Sequence, residues 1–147
     1  MNIADIISKN AVLDNVQVSS KRELIQVLSQ RIASFSGLDE RAIFDAVWER
    51  ENLGSTGYGD GVAFPHARIE GLDKVCGIFA RLEEPVDFDS LDGKAVDLVF
   101  MLVSPENSGA DHLTALAALS RILKTEGSCE KLRKARSVDE IYTVLNS

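Results

Sequence analysis

The chain has 147 residues, 45% of them hydrophobic and 27% charged, with a formal net charge of −7 at pH 7. That length and balance fit one globular domain with its own core and leave too little polar excess for extended disorder. An acidic surface field repels phosphate backbones and anionic membranes, which argues against nucleic acid as a partner.

In chain order, Met1 to Asn10 has Asp5 in a mildly apolar start and lacks a basic region followed by a long apolar core, so no cleaved signal peptide is expected. Ala11 to Val18 alternates as a strand. Ser19 or Ser20 offers a helix cap, with Glu23 placed to complete a capping box, and Leu24, Ile25, Val27, Leu28, Ile32 and Phe35 follow at helical spacing up to Gly37. Asp39 caps a second helix over 40–51, with Ile43, Phe44 and Val47 on its apolar face and Arg50 near its end.

The stretch from Gly54 to Gly61 holds four glycines in eight residues and is expected to break helix and strand alike; Val62 to His66 then reads as a short extended segment. Val75 to Leu82 and Ala95 to Val103 are apolar, β-branched runs of strand length, joined by a polar connection with a turn at Asp92-Gly93. A long helix begins near Asp111 and is expected to turn Leu113, Leu116, Ala117, Ile122 and Leu123 inward; Gly127 and Ser137 mark two more short helices, the second over 138–145. Such an alternation packs as an α/β fold, with helices outside and sheet inside.

No window approaches the run of roughly 20 apolar residues needed to span a bilayer. Cys76 and Cys129 form no C-x-x-C pair, so reduced thiols and a cytoplasmic location are expected.

Chemistry concentrates on two histidines. His66 follows an extended segment and His112 lies in the first turn of a predicted helix, positions from which an imidazole can present a nitrogen to a ligand. Upstream of His66, the glycines and the Ser55 and Thr56 hydroxyls form a loop able to approach a small anion, and the Arg50 fork matches a phosphoryl group's oxygens. No G-x-x-x-x-G-K-[ST] motif occurs, so nucleotide binding lacks its main signature, and no G-x-S-x-G supports a serine hydrolase. His66, His112, Asp111 and Cys76 are metal-ligand types without metal-ligand spacing, so neither metal nor cofactor is expected.

At Arg50-Glu-Asn-Leu-Gly-Ser-Thr-Gly57 and Gly61-Val-Ala-Phe-Pro-His66-Ala-Arg68 the chain resembles IIA proteins of the bacterial phosphotransferase system, in the fructose, mannitol and nitrogen-regulatory superfamily. Pro85-Val-Asp-Phe-Asp, the run Asp97 to Pro105 and Asp111-His112-Leu-Thr-Ala-Leu extend the resemblance over nearly the whole chain, so that residues 1–147 form one IIA type-2 domain. The resemblance implies a mixed β-sheet flanked by α-helices on both faces. It implies His66 as phosphoryl acceptor, His112 as its active-site neighbour, Arg50 as the cationic contact, and Ser55, Thr56 and Gly57 as the phosphoryl-binding loop. The implied donor is an HPr-like phosphocarrier of the NPr type, met through complementary charge; the implied regulated proteins are potassium-transport or sensor-kinase components.

Likeness in Phe88 to Asp97 and Pro105 to Asp111, on a chain without fused transport domains, points to the nitrogen-regulatory branch, although Ala67 stands where some members of that branch carry Gly. Two other readings remain beside it: a IIA component of fructose or mannitol uptake that passes the group to a IIB domain, and a binding module in which His66 is never modified.

Overall fold

A computed structural model describes residues 2–147, so the signal-peptide reading, which begins at Met1, lies partly outside the described residues. A four-residue helix α1 (Ile3–Ile6) and a 3-10 turn (Lys9–Ala11) precede strand β1 (Val12–Val16), which falls inside its expected span. Helix α2 (Lys21–Ser36) uses both candidate serines. Ser20 Oγ accepts the Glu23 N–H at 3.1 Å, while the Glu23 carboxylate accepts the Ser19 N–H at 3.3 Å. Helix α3 (Glu40–Leu53) starts on Asp39, whose carboxylate accepts the Ala42 N–H at 3.1 Å, and runs two residues past its expected end.

The glycine-rich stretch is not free of regular structure, contrary to expectation. Strand β2 (Gly57–Gly59) pairs antiparallel with β3 (Val62–Ala63) across an Asp60-Gly61 hairpin whose residues sit at φ 55° and 82°. Asp-Gly is a favoured pair for such a turn because both positions need the left-handed region. Gly57 is required for another reason: a Cβ there would collide with the side chain of Ser90 and crowd its backbone.

Strand β4 (His66–Ile69) continues from β3 after a jog at Phe64-Pro65. Strand β5 (Cys76–Val86) outlasts the expected Val75 to Leu82, because pairing resumes at Val86 after a register shift. Strand β6 (Val96–Pro105) is buried at every position from Leu98 to Ser104, the mark of a strand covered on both faces. The sheet order is β1-β5-β6-β3-β2, with β4 also beside β6; β1/β5, β3/β6 and β4/β6 are parallel, β5/β6 and β2/β3 antiparallel.

Helix α4 (Ala110–Lys124) follows β6, and α5 (Ser128–Lys134) and α6 (Val138–Leu145) end the chain. Helices α2 and α3 pack together on one face; α4 packs on β6 from the other, with α1, α5 and α6 alongside. The buried face of α4 differs from the expected one. His112, Ala115, Ala118 and Leu119 point inward, Leu116, Ile122 and Leu123 are half-buried, Ala117 is exposed and Leu113 is 63% exposed. Small residues at 115 and 118 let the helix approach the sheet, and that approach, not hydrophobicity alone, selects the stripe.

A row of rings links core to site. Phe79 meets Phe100 at 4.9 Å, Phe100 meets Phe64 at 5.6 Å, and Phe64 meets Tyr58 at 5.8 Å. Phe100 is fully buried. Phe100→Ala is expected to cost about 3–5 kcal/mol in urea denaturation; a loss under about 1 kcal/mol contradicts this role for the row.

Candidate functional site

Pro65 has no N–H, and the jog it anchors sets the first site atom. The Phe64 N–H donates to Thr56 O and the Leu102 N–H to Pro65 O, both at 3.0 Å, so the chain stays stitched to β2 and β6 on either side of the bend. The Phe64 carbonyl then faces the ring two residues on: His66 Nδ1 lies 2.8 Å from it. A carbonyl only accepts, so Nδ1 carries the proton and Nε2 keeps its lone pair.

His66 is half-buried at the start of β4. Burial pushes its imidazole below the ordinary 6.5, and the charge of Arg50 acts in the same direction, against the pull of the Phe64 carbonyl and of Glu51. The ring is therefore neutral at pH 7.

Helix α4 brings His112 to the same place. The two ring centroids are 5.6 Å apart at an interplanar angle of 49°. His112 is only 6% exposed, and its Nδ1 lies 2.7 Å from Ser104 Oγ near the end of β6. Its pKa is also lowered, by burial first and then by Arg68 and His66.

Arg50, in the last turn of α3, donates from Nη1 to Gly54 O at 3.0 Å and stays within electrostatic reach of His66. Ser55, Thr56 and Gly57 lie between Arg50 and His66 along the chain, but both hydroxyls and the N–H groups of Thr56 and Gly57 are engaged within the protein. Ser55 Oγ donates to Phe88 O at 2.7 Å and accepts the Gly57 N–H at 3.1 Å; Thr56 gives its N–H and its hydroxyl to Glu51, at 2.8 and 2.6 Å.

Three residues join the site that sequence reasoning assigned no role. Arg68 shares the outer face of β4 with His66, while Ala67 and Ile69 point into the core. It pairs in register with Ser104, the partner of His112, and forms no ion pair among the described residues. Its signal was the i, i+2 spacing from His66 on an extended segment. Ser104 and Glu51 stand in the sequence reading only inside longer segments, the run Asp97 to Pro105 and the motif Arg50 to Gly57, with no local signal that sets them apart.

Among the described residues no three His, Cys, Asp or Glu side chains are grouped to hold a metal ion, and no helix is long and apolar enough to cross a membrane. Because the Arg68 charge holds the His112 proton off, Arg68→Ala is expected to raise the His112 pKa, read by NMR titration of the ring protons. An unchanged midpoint would place Arg68 outside the site.

The family model for the phosphoenolpyruvate-dependent sugar phosphotransferase system, EIIA 2, matches residues 5–147. A nitrogen regulatory protein of Bradyrhizobium diazoefficiens is 46% identical over 145 residues, covering 99% of this chain and 95% of the relative. A fructose-specific EIIA component of Haloferax volcanii is 39% identical over 128 residues, 86% of this chain and 83% of that one. The crystal structure of the nitrogen regulatory protein IIA-Ntr from Neisseria meningitidis superposes with a TM-score of 0.92 at 36% identity, over 97% of this chain and 98% of that one. The chain thus belongs to the EIIA type-2 family of the phosphotransferase system.

Proposed function

We propose that the chain is a phosphocarrier in which His66 Nε2 accepts a phosphoryl group from the phosphohistidine of an HPr-like carrier of the NPr type. The charge gained is then read in the cytoplasm by regulated proteins, such as potassium-transport or sensor-kinase components. The observation that carries this reading is the 2.8 Å bond from His66 Nδ1–H to the Phe64 carbonyl, which leaves one nucleophilic nitrogen on a neutral ring beside a second histidine.

The lone pair of His66 Nε2 forms the new N–P bond as the donor's N–P bond breaks, and the breaking pair returns to the donor's imidazole. His66 keeps its Nδ1 proton throughout, so no general base is required. The transition state is loose and in line, and the protein's work is alignment and stabilisation of oxygen charge. Arg50 and Arg68 supply two cations. With Ser104 donating its hydroxyl proton to His112 Nδ1, the His112 Nε2–H becomes a third donor. Ser55, Thr56 and Gly57 contribute the shape of the binding loop, since Thr56 O also holds the Phe64 N–H. The chemistry draws on no metal and no nucleotide.

A protein donor fits the surface around the site. Among the described residues five large hydrophobics are exposed, and four lie on segments bordering it: Leu53 ends α3, Tyr58 is in β2, Leu91 is on the loop against β2, and Leu113 follows His112. An apolar border of this kind marks docking surfaces. The likeness to a fructose-specific EIIA component supports a second reading, transfer onward to a fructose- or mannitol-type IIB domain.

With phosphorylated carrier, the wild type is expected to gain one acid-labile, alkali-stable phosphoryl group by mass, and His66→Ala none. His112→Ala is expected to gain it about 10²-fold more slowly. An undiminished adduct in His66→Ala overturns the assignment, and rapid onward transfer to a sugar-type IIB domain favours the uptake reading.

A further inference from the structure

Glu51 is the one acidic residue buried among the described residues, at 4% exposure in the last turn of α3. A carboxylate in such a place is costly unless paired and hydrogen-bonded. It has three such contacts: Lys21 Nζ at 3.0 Å, the Thr56 N–H at 2.8 Å and the Thr56 hydroxyl at 2.6 Å. Lys21, itself 13% exposed at the side chain, comes from the first turn of α2. Its ammonium stands 4.6 Å from the Phe88 ring centroid, 3.4 Å from the Phe88 carbonyl and 3.6 Å from Asp89. The Phe88 carbonyl also accepts the Ser55 hydroxyl.

One buried charge pair therefore ties the start of α2, the end of α3, the Phe88 turn and the Ser55-Thr56 segment. Apolar residues of similar volume would fill this space at lower cost, so the pair's location calls for a reason other than stability. Its connections lead to Arg50. Gly54, whose carbonyl accepts the Arg50 guanidinium, directly precedes the clamped Ser55, and Arg50 directly precedes Glu51. Arginine on a free stem samples many rotamers; clamped at both its backbone and its guanidinium contact, it is oriented before the phosphoryl group arrives.

We propose that Glu51, locked by Lys21, is a positioning residue for phosphoryl transfer: it fixes Thr56, and through the Ser55-Thr56 segment the Gly54 carbonyl that holds the Arg50 guanidinium at His66. This rests on the phosphocarrier reading above. Glu51 touches no reacting atom and acts only through Arg50 and the loop, so its removal slows the step that Arg50 assists and adds nothing once Arg50 is gone.

The test is single-turnover transfer from phosphorylated HPr-like carrier, followed by phosphoprotein mass. Glu51→Gln keeps the volume and one acceptor but leaves Lys21 only its longer contacts to Asp89 and the Phe88 carbonyl; combining it with Lys21→Met removes both charges and guards against a fold lost to a poorly compensated ammonium. Both are expected to lower the maximal transfer rate about tenfold, with half-saturation by donor unchanged within about twofold. In an Arg50→Ala background, Glu51→Gln is expected to cost nothing further. A wild-type rate in the Glu51 variants, or losses that add to that of Arg50→Ala, overturns the proposal while leaving the phosphocarrier reading intact. No adduct on the wild type overturns both. If melting curves show both variants unfolded, Thr56→Val, which deletes only the hydroxyl bond to Glu51, carries the same test: a slowed maximal rate supports positioning, and a wild-type rate overturns it.

Discussion

The hydrogen bond between His66 Nδ1–H and the Phe64 carbonyl is the constraint on which the chemistry depends. Its net worth to stability is only about 1 kcal/mol. Its chemical weight is larger, because it chooses one of two tautomers and so decides which nitrogen meets a ligand. The carbonyl is available because the chain jogs at Phe64-Pro65, and the jog persists because Phe64 is held on every side. Its N–H is bound to Thr56, its ring packs on Phe100, and the next carbonyl is bound to Leu102. Core packing thereby reaches the reactive atom through a single residue.

The electrostatics operate on two scales. The whole molecule carries −7, a field that draws a donor with a basic rim. At the histidines the sign reverses: Arg50 and Arg68 form no ion pair among the described residues, both histidines have depressed pKa values, and Glu51, the acid whose charge reaches His66, is occupied by Lys21 and Thr56. In the phosphocarrier reading proposed above, this contrast fits delivery of the phosphoryl group by a protein better than capture of a free anion from solution.

Much of this was legible in the sequence, and the physical reason is locality. Capping serines, the Asp39 cap, the Asp92-Gly93 turn and the apolar run of β6 are written within a few residues of where they act. The meeting of His66 with His112 followed from family resemblance and has no local signature, since 46 positions separate them. Ser104, Arg68 and the burial of Glu51 escaped because their meaning depends on neighbours supplied by the sheet register and by helix packing. The strand hidden in the glycine stretch was missed although Asp60-Gly61 is a hairpin pair; the density of glycine masked the two that matter. On α4, counting large apolar residues misjudged the inward face because close approach to the sheet favours alanine there.

The chain belongs to the EIIA type-2 family of the phosphotransferase system and is similar to nitrogen regulatory proteins, and the phosphocarrier reading proposed above assigns the chemistry to His66 Nε2. The most direct test is the nitrogen–phosphorus coupling in 15N-labelled protein phosphorylated by its carrier. The account predicts coupling to Nε2 of His66, with the Nδ1 proton still present and bound to the Phe64 carbonyl. Coupling to Nδ1, or phosphorus on any other residue, would contradict it.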